Sequence, residues 1–409
     1  MGDTANNKFI LPDGFNYSCI PDCGLCCQGW EIHVEFKEYE ILSKTDWNRI
    51  SEKFKNRKIF TDSKDGRKYF ELVDNKCIFL DTANYCIIHR QLGYDAKAHT
   101  CKRYPLNFVK TPDGIVLRLS FVCPSILHNT GERLDEQTDY IENIFRTSGD
   151  DYYSIIEPVY LDDETSLSWN EYLQVENALL KLLDSAGNYE DMLKAGAKFL
   201  RYVCSNKKNG LQIPDILKNS DQKSFFEKNP EPGITKRRLY LAVFATQGLL
   251  RQLSKIALNR YSTVIKIALG KGKIVINGTK TYLEKIDEVK FGINDRDISP
   301  AIKRYLRHLI FAKWHLMPAS KLGPQNTNLI SGYSLVLIIY ALLKWYSKIF
   351  SSQRGGDKVE LQDVEKAISS VEKYYAGHIS RDAFFSDNKG FAQISNLLIM
   401  QKNLEDIII

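Results

Sequence analysis

Cysteine is nearly missing from most of this chain. Only Cys204, of nine cysteines in 409 residues, lies beyond residue 123. The opening stretch "MGDTANNKFILPDGF" lacks a basic segment followed by an apolar one. No secretory leader is expected, and a cytoplasmic location is. Asn6 stands where a myristoylation signal needs Ser or Thr. The most apolar run, "SLVLIIYALL" (334–343), is too short to span a bilayer. It reads as a buried helix ended by Lys344, and no membrane partner is expected. No repeat of fixed period is present, which excludes solenoids. The net charge of +6 is small for this length and does not call for nucleic acid. The closely spaced glycines of "ALGKGKIVING" (268–278) precede a strand instead of following one. That argues against a Rossmann-like donor site.

What is present is an ordinary globular composition, 44% apolar and 26% charged, long enough for two or three domains. Eight cysteines crowd the first part: Cys19, Cys23, Cys26, Cys27, Cys77, Cys86, Cys101 and Cys123. The first four fall within "CIPDCGLCC", spaced C-x3-C-x2-C-C. In a reducing compartment such crowding favours metal over disulfides. Adjacent Cys26 and Cys27 could pair with each other only under strain. Several close thiolates suit zinc or an iron–sulfur cluster, and the number of centres stays open.

The fold class expected is α+β. Residues 1–140 form a cysteine-rich, iron–sulfur-binding domain with short hairpins. Residues 141–409 form a larger, mainly helical domain suited to binding a substrate. Residues 68–81 hold two strand-like runs around Asp74-Asn75, a turn pair that would deliver Cys77. Residues 107–123 repeat the logic around Pro112-Asp113-Gly114, with the second strand aiming Cys123 back toward the cluster. Helical periodicity then dominates over 169–187, 189–205, 235–258, 299–317 and 361–379, with Ser299 as an N-cap before Pro300. "GKIVINGT" (272–279) interrupts as a strand or ribbon.

The C-x3-C-x2-C run resembles the cluster loop of radical S-adenosylmethionine enzymes. Cys27 is foreign to that pattern, and no series of strand–helix units follows to build their barrel. The fuller constellation, "CIPDCGLCCQGWEI", "CIFLDTANYCIIH", "TCKRYPL" and "SFVCPS", resembles the flagellin lysine-N-methylase family. Its N-terminal part belongs to the wider group of CxxCxxCC iron- or zinc-chelating proteins. The motifs cover about the first 130 residues; length and helical character extend the likeness. The resemblance implies an enzyme that transfers methyl groups from S-adenosylmethionine to flagellin lysines and carries an iron–sulfur cluster, expected to be 4Fe-4S. His89 departs from the aromatic residue expected there in the wider group. Two other readings stay open: a non-catalytic metal-binding or metal-delivery module with a helical docking domain, and a radical enzyme on another target.

Arg103 and Arg118 are candidates for pairing with cluster charge or a donor carboxylate, with ordinary surface arginines as the alternative. His89 and His99 read as structural residues, since eight thiols suffice without them. His308 and His315, seven apart, read as one face of a helix. Trp30 is expected to pack over the cluster loop. Cys204 reads as a buried small hydrophobe.

Overall fold

The structure is a computed structural model. It describes residues 8–63, 66–147, 152–185, 188–227, 238–239, 241–246, 260–276, 278–292, 295–317 and 327–377. The chain divides into two compact units. The cysteine unit comprises Leu11–Phe108 and Leu117–Tyr152; the helical unit comprises Met1–Ile10, Val109–Val116 and Tyr153–Ile409. The hairpin strands Leu106–Thr111 and Gly114–Leu119 carry the chain out of the cysteine unit and back. The class is α+β: short strands and hairpins first, then mainly helix.

In the cysteine unit the turn chemistry acts as expected. Asp74 and Asn75 both take positive φ, 51° and 63°, as a two-residue hairpin requires. Leu72 consequently pairs with Cys77 across the turn. The apolar side is an aromatic stack in which Phe79 lies 4.7 Å from Trp47 and 4.9 Å from Phe70. Ile32, Phe54, Ile78 and Ile88 close this core.

In the helical unit, Phe9–Ile10 pairs in parallel with residues 115–116, and Tyr153–Ser154 with residues 109–110. At Gly114 a Cβ would collide with the Lys8 carbonyl, so that edge admits only glycine. The helix Leu329–Arg354 packs against Leu361–Val371, Tyr189–Lys208 and the turn Trp314–Leu316. At Gly332 the missing side chain lets that helix meet the His315 carbonyl.

Several expectations are corrected here. Lys344 does not end its helix, which runs on to Arg354 and stops at Gly355 in the left-handed conformation, φ 83°. The reason is a partner: Lys344 bonds Glu190 at 2.6 Å and so can be accommodated, partly buried, in mid-helix. The full 26 residues are long and apolar enough to cross a membrane, yet 83% of the most apolar window is buried inside the protein. Ile298, not Ser299, caps the helix Ser299–Phe311. Lys313 then turns into the left-handed region at φ 55°, so His308 and His315 share no helical face. The residues 273–276 and 279–282 form the expected ribbon. Most of the helical pattern over 235–258 lies outside the described residues.

Candidate metal centre

Local geometry explains how distant cysteines meet. Gly24 adopts φ 60°, and a Cβ there would lie 2.9 Å from the Asn84 Cβ. It starts the 3-10 turn Leu25–Cys27, which turns Cys27 into the core. The loop docks on the hairpin through Gly29 N–H to the Asn75 carbonyl at 2.8 Å. Cys77 ends that hairpin, Cys86 caps the helix Ile87–Leu92, and Cys101 rides on the short helix His99–Arg103.

Five thiols, of Cys26, Cys27, Cys77, Cys86 and Cys101, line one cavity of about 60 Å³, and Lys97 lines it with them. That volume exceeds the ~10–15 Å³ needed to admit one water. Trp30 lines it too, its ring 5.7 Å from that of Tyr104 and its N–H on the Cys26 carbonyl at 3.0 Å. Cys19, Cys23 and Cys123 lie outside this lining, as do His89, His99, Arg103 and Arg118. Both arginines are buried, 7% and 2% exposed, which overturns the surface-arginine alternative. Cys204 is buried elsewhere, its thiol donating to Asp162 Oδ2 at 3.3 Å.

The electrostatics sort the thiols. The hydrogen bond with the Cys27 thiol, 3.8 Å away, holds Cys26 down at about 7, with the Lys97 charge assisting against burial. Cys27 itself is pushed well up by that same bond and by burial. Burial lifts Cys77 to about 12 and carries Cys101 well above its usual range. Burial also lifts Cys123 to about 11, and the neighbouring thiols of Cys23 and Cys19 add to it. Burial opposes the charge on Lys97, but the thiols of Cys101, Cys86, Cys26 and Cys27 outweigh it and raise its pKa. A cation facing five ionisable sulfurs is the arrangement that lets more than one become a thiolate. Sequence reasoning missed Lys97, because a lysine lying between Cys86 and Cys101 carries no metal-site motif.

Among the described residues, no group of three or more His, Cys, Asp or Glu side chains converges to hold a metal ion directly. The donor set fits a soft or borderline metal nonetheless: all sulfur, buried, and gathered on one cavity. Residues 18–124 match the family CxxCxxCC, described as "Putative zinc- or iron-chelating domain". The cysteine unit is thereby supported as a thiolate metal-chelating module. No curated protein and no solved structure matches the chain.

A second polar cluster lies buried in the helical unit. Lys313 bonds Glu176, both 6% exposed at the side chain, and Tyr172 donates to the same carboxylate. The rings of Tyr172 and Trp169 stand 5.6 and 5.9 Å from the ammonium. The Lys313–Glu176–Tyr172 network pairs its charges internally and lines none of the cavities described here, so it reads as structural.

Proposed function

We propose that the cysteine unit holds an iron–sulfur cluster and that the protein is a cytoplasmic, S-adenosylmethionine-dependent lysine N-methyltransferase acting on flagellin. The observation that carries the metal half is the set of five thiols on one cavity with Lys97. The methyl-transfer half rests on the likeness of the eight-cysteine pattern and on a helical unit far larger than a bare metal carrier needs.

Cys26, Cys27, Cys77, Cys86 and Cys101 are the residues that would hold the group. When bound, a cluster would offer an iron site to the amine and carboxylate of the methyl donor. The chain's own residues do the rest. Lys97 balances thiolate charge, and Trp30 and Tyr104 narrow the cavity against water. A deprotonated lysine amine is already a competent nucleophile, so the reading needs positioning and no reductant.

The test is anaerobic purification followed by iron and sulfide analysis and titration with S-adenosylmethionine. Iron with acid-labile sulfide, a spectrum perturbed by the donor, and methyl label on flagellin lysines are expected. Zinc without sulfide would remove the cluster. Failure of the donor to bind cluster-replete protein would remove the methylase and leave a metal-binding or metal-delivery module.

A further inference from the structure

Beside the thiol cavity, the cysteine unit carries an open groove of about 500 Å³ lined by Tyr17, Cys19, Glu132, Glu136, Asp139 and Tyr140 among others. Its volume is that of a ligand cleft, ~300–1,000 Å³. We propose that this groove binds the side chain of a protonated lysine presented by a protein segment. The inference deepens the proposed function by assigning it a substrate site, and it rests on that reading only for what happens to the lysine afterwards.

The walls come from two elements. Tyr17 and Glu132 are direct partners across an antiparallel pair, so their side chains leave the ribbon on the same side. Asp139 lies in the first turn of the helix Thr138–Thr147, and Gln137 before it ties the two elements together. Its amide donates to the carbonyls of Tyr17 at 2.9 Å and Glu132 at 3.1 Å.

The carboxylates are unequally engaged. Glu136 already has Arg133 at 3.8 Å. Glu132 and Asp139 have no ion pair among the described residues. Asp139 suits its helix start, and that alone would explain it.

The independent observation is Tyr17. It is only 7% exposed and lines the groove, yet its hydroxyl has no hydrogen-bond partner among the described residues. Tyr140 beside it is engaged, bonded to Tyr94, whose hydroxyl donates to the Lys102 carbonyl at 3.2 Å. The ring is buried while its oxygen is not fully enclosed, so the hydroxyl meets the open groove and stays available to an occupant. Two unpaired carboxylates, an unpartnered phenol oxygen and a second tyrosine ring together offer an ammonium three acceptors and an aromatic face. A bare divalent cation would need more oxygens converging closely, and none of the described residues do so. A lysine ammonium, a compact charge with three rotatable donors, matches three acceptors carried on separate residues. Cys19 lines the groove and also feels the thiols of Cys26 and Cys23, so a bound amine would sit next to the metal-binding loop.

The experiment titrates metal-replete protein by calorimetry with a blocked decapeptide containing two lysines. Parallel titrations use the same peptide with ε-acetyl-lysine and with arginine. The double variant Glu132→Gln/Asp139→Asn should weaken lysine-peptide binding about tenfold, ~1.4 kcal/mol. Tyr17→Phe should weaken it about threefold. Glu31→Gln/Glu40→Gln makes the same charge change at exposed positions outside the groove and should leave binding as it was. All variants should retain wild-type metal content, which shows that they fold. Undiminished binding to the double variant, or equal binding of the acetylated or arginine peptide, overturns the proposal. Groove-dependent binding with no methyl transfer keeps the groove and sinks the enzyme reading. Methyl transfer by the double variant at unchanged KM does the reverse.

Discussion

The Sγ atoms of Cys26 and Cys27, neighbours in sequence, lie 3.8 Å apart, close enough to share one thiol proton, and the contact lowers the pKa of Cys26 while raising that of Cys27. One sulfur therefore ionises at the expense of the other. In reduced, metal-free protein, iodoacetamide should alkylate Cys26 with a midpoint near pH 7. Cys27 should stay largely unlabelled across the same range. Peptide mass spectrometry distinguishes the two, and equal labelling would contradict the assignment.

Proton traffic gives a second expectation. Cys77 is raised by burial from 9.0 to about 12, so the folded chain keeps this proton after the unfolded chain has lost it. The unfolded state then binds fewer protons, and the metal-free protein should lose stability as pH climbs from about 9 toward 12. Ligation needs thiolates, so metal binding must expel these protons and weaken as pH falls. Calorimetry of zinc binding in buffers of different ionisation heat should read roughly two or more protons released per metal. Binding without proton release would contradict the raised thiols.

Ligand removal separates the cysteines. Cys77→Ser and Cys101→Ser should lose metal, and with it about 2.7 kcal/mol of stability at metal concentrations a hundredfold above Kd. In Cys204→Ser the hydroxyl can still donate to Asp162, so stability should change by less than about 1 kcal/mol and metal content not at all. Melting curves with metal analysis check all three, and identical behaviour would be the adverse result.

The buried pair of Lys313 and Glu176 predicts an asymmetry. Lys313→Met strands a buried carboxylate and should cost about 3–5 kcal/mol, whereas Lys313→Met with Glu176→Leu should cost much less. Burial already raises Glu176. Without its partner it should take up a proton in the folded state, so the single variant's deficit should grow as pH rises above the carboxylate's ordinary 4.5. Urea unfolding at pH 5 and pH 8 measures this, and a deficit equal at both would refute it.

The sequence was most legible where one local rule decides the backbone. Asp74-Asn75 and Pro112-Asp113-Gly114 announce their turns because few residues tolerate those dihedrals. The cysteine spacing announces metal because no core needs four thiols in nine residues. It was least legible where a distant partner reverses a local rule. Lys344 looked like a helix stop until Glu190, 154 positions away, supplied its counter-charge. Tyr17 and Glu132 form one wall of a groove only through a strand register linking residues more than a hundred apart, and no period in the sequence encodes it. Lys97 joins the thiols because of how two short helices are laid down, which spacing alone does not reveal.

The chain path through the cysteine unit also sets an order of events. Its eight thiols have all been synthesised by Cys123, and the unit is complete at Tyr152, before any of the long helices exists. Domains fold as units while synthesis proceeds. A nascent chain can therefore close around its metal while the helical part is still unmade. A cell short of that metal would then be left with a growing chain whose first unit cannot set.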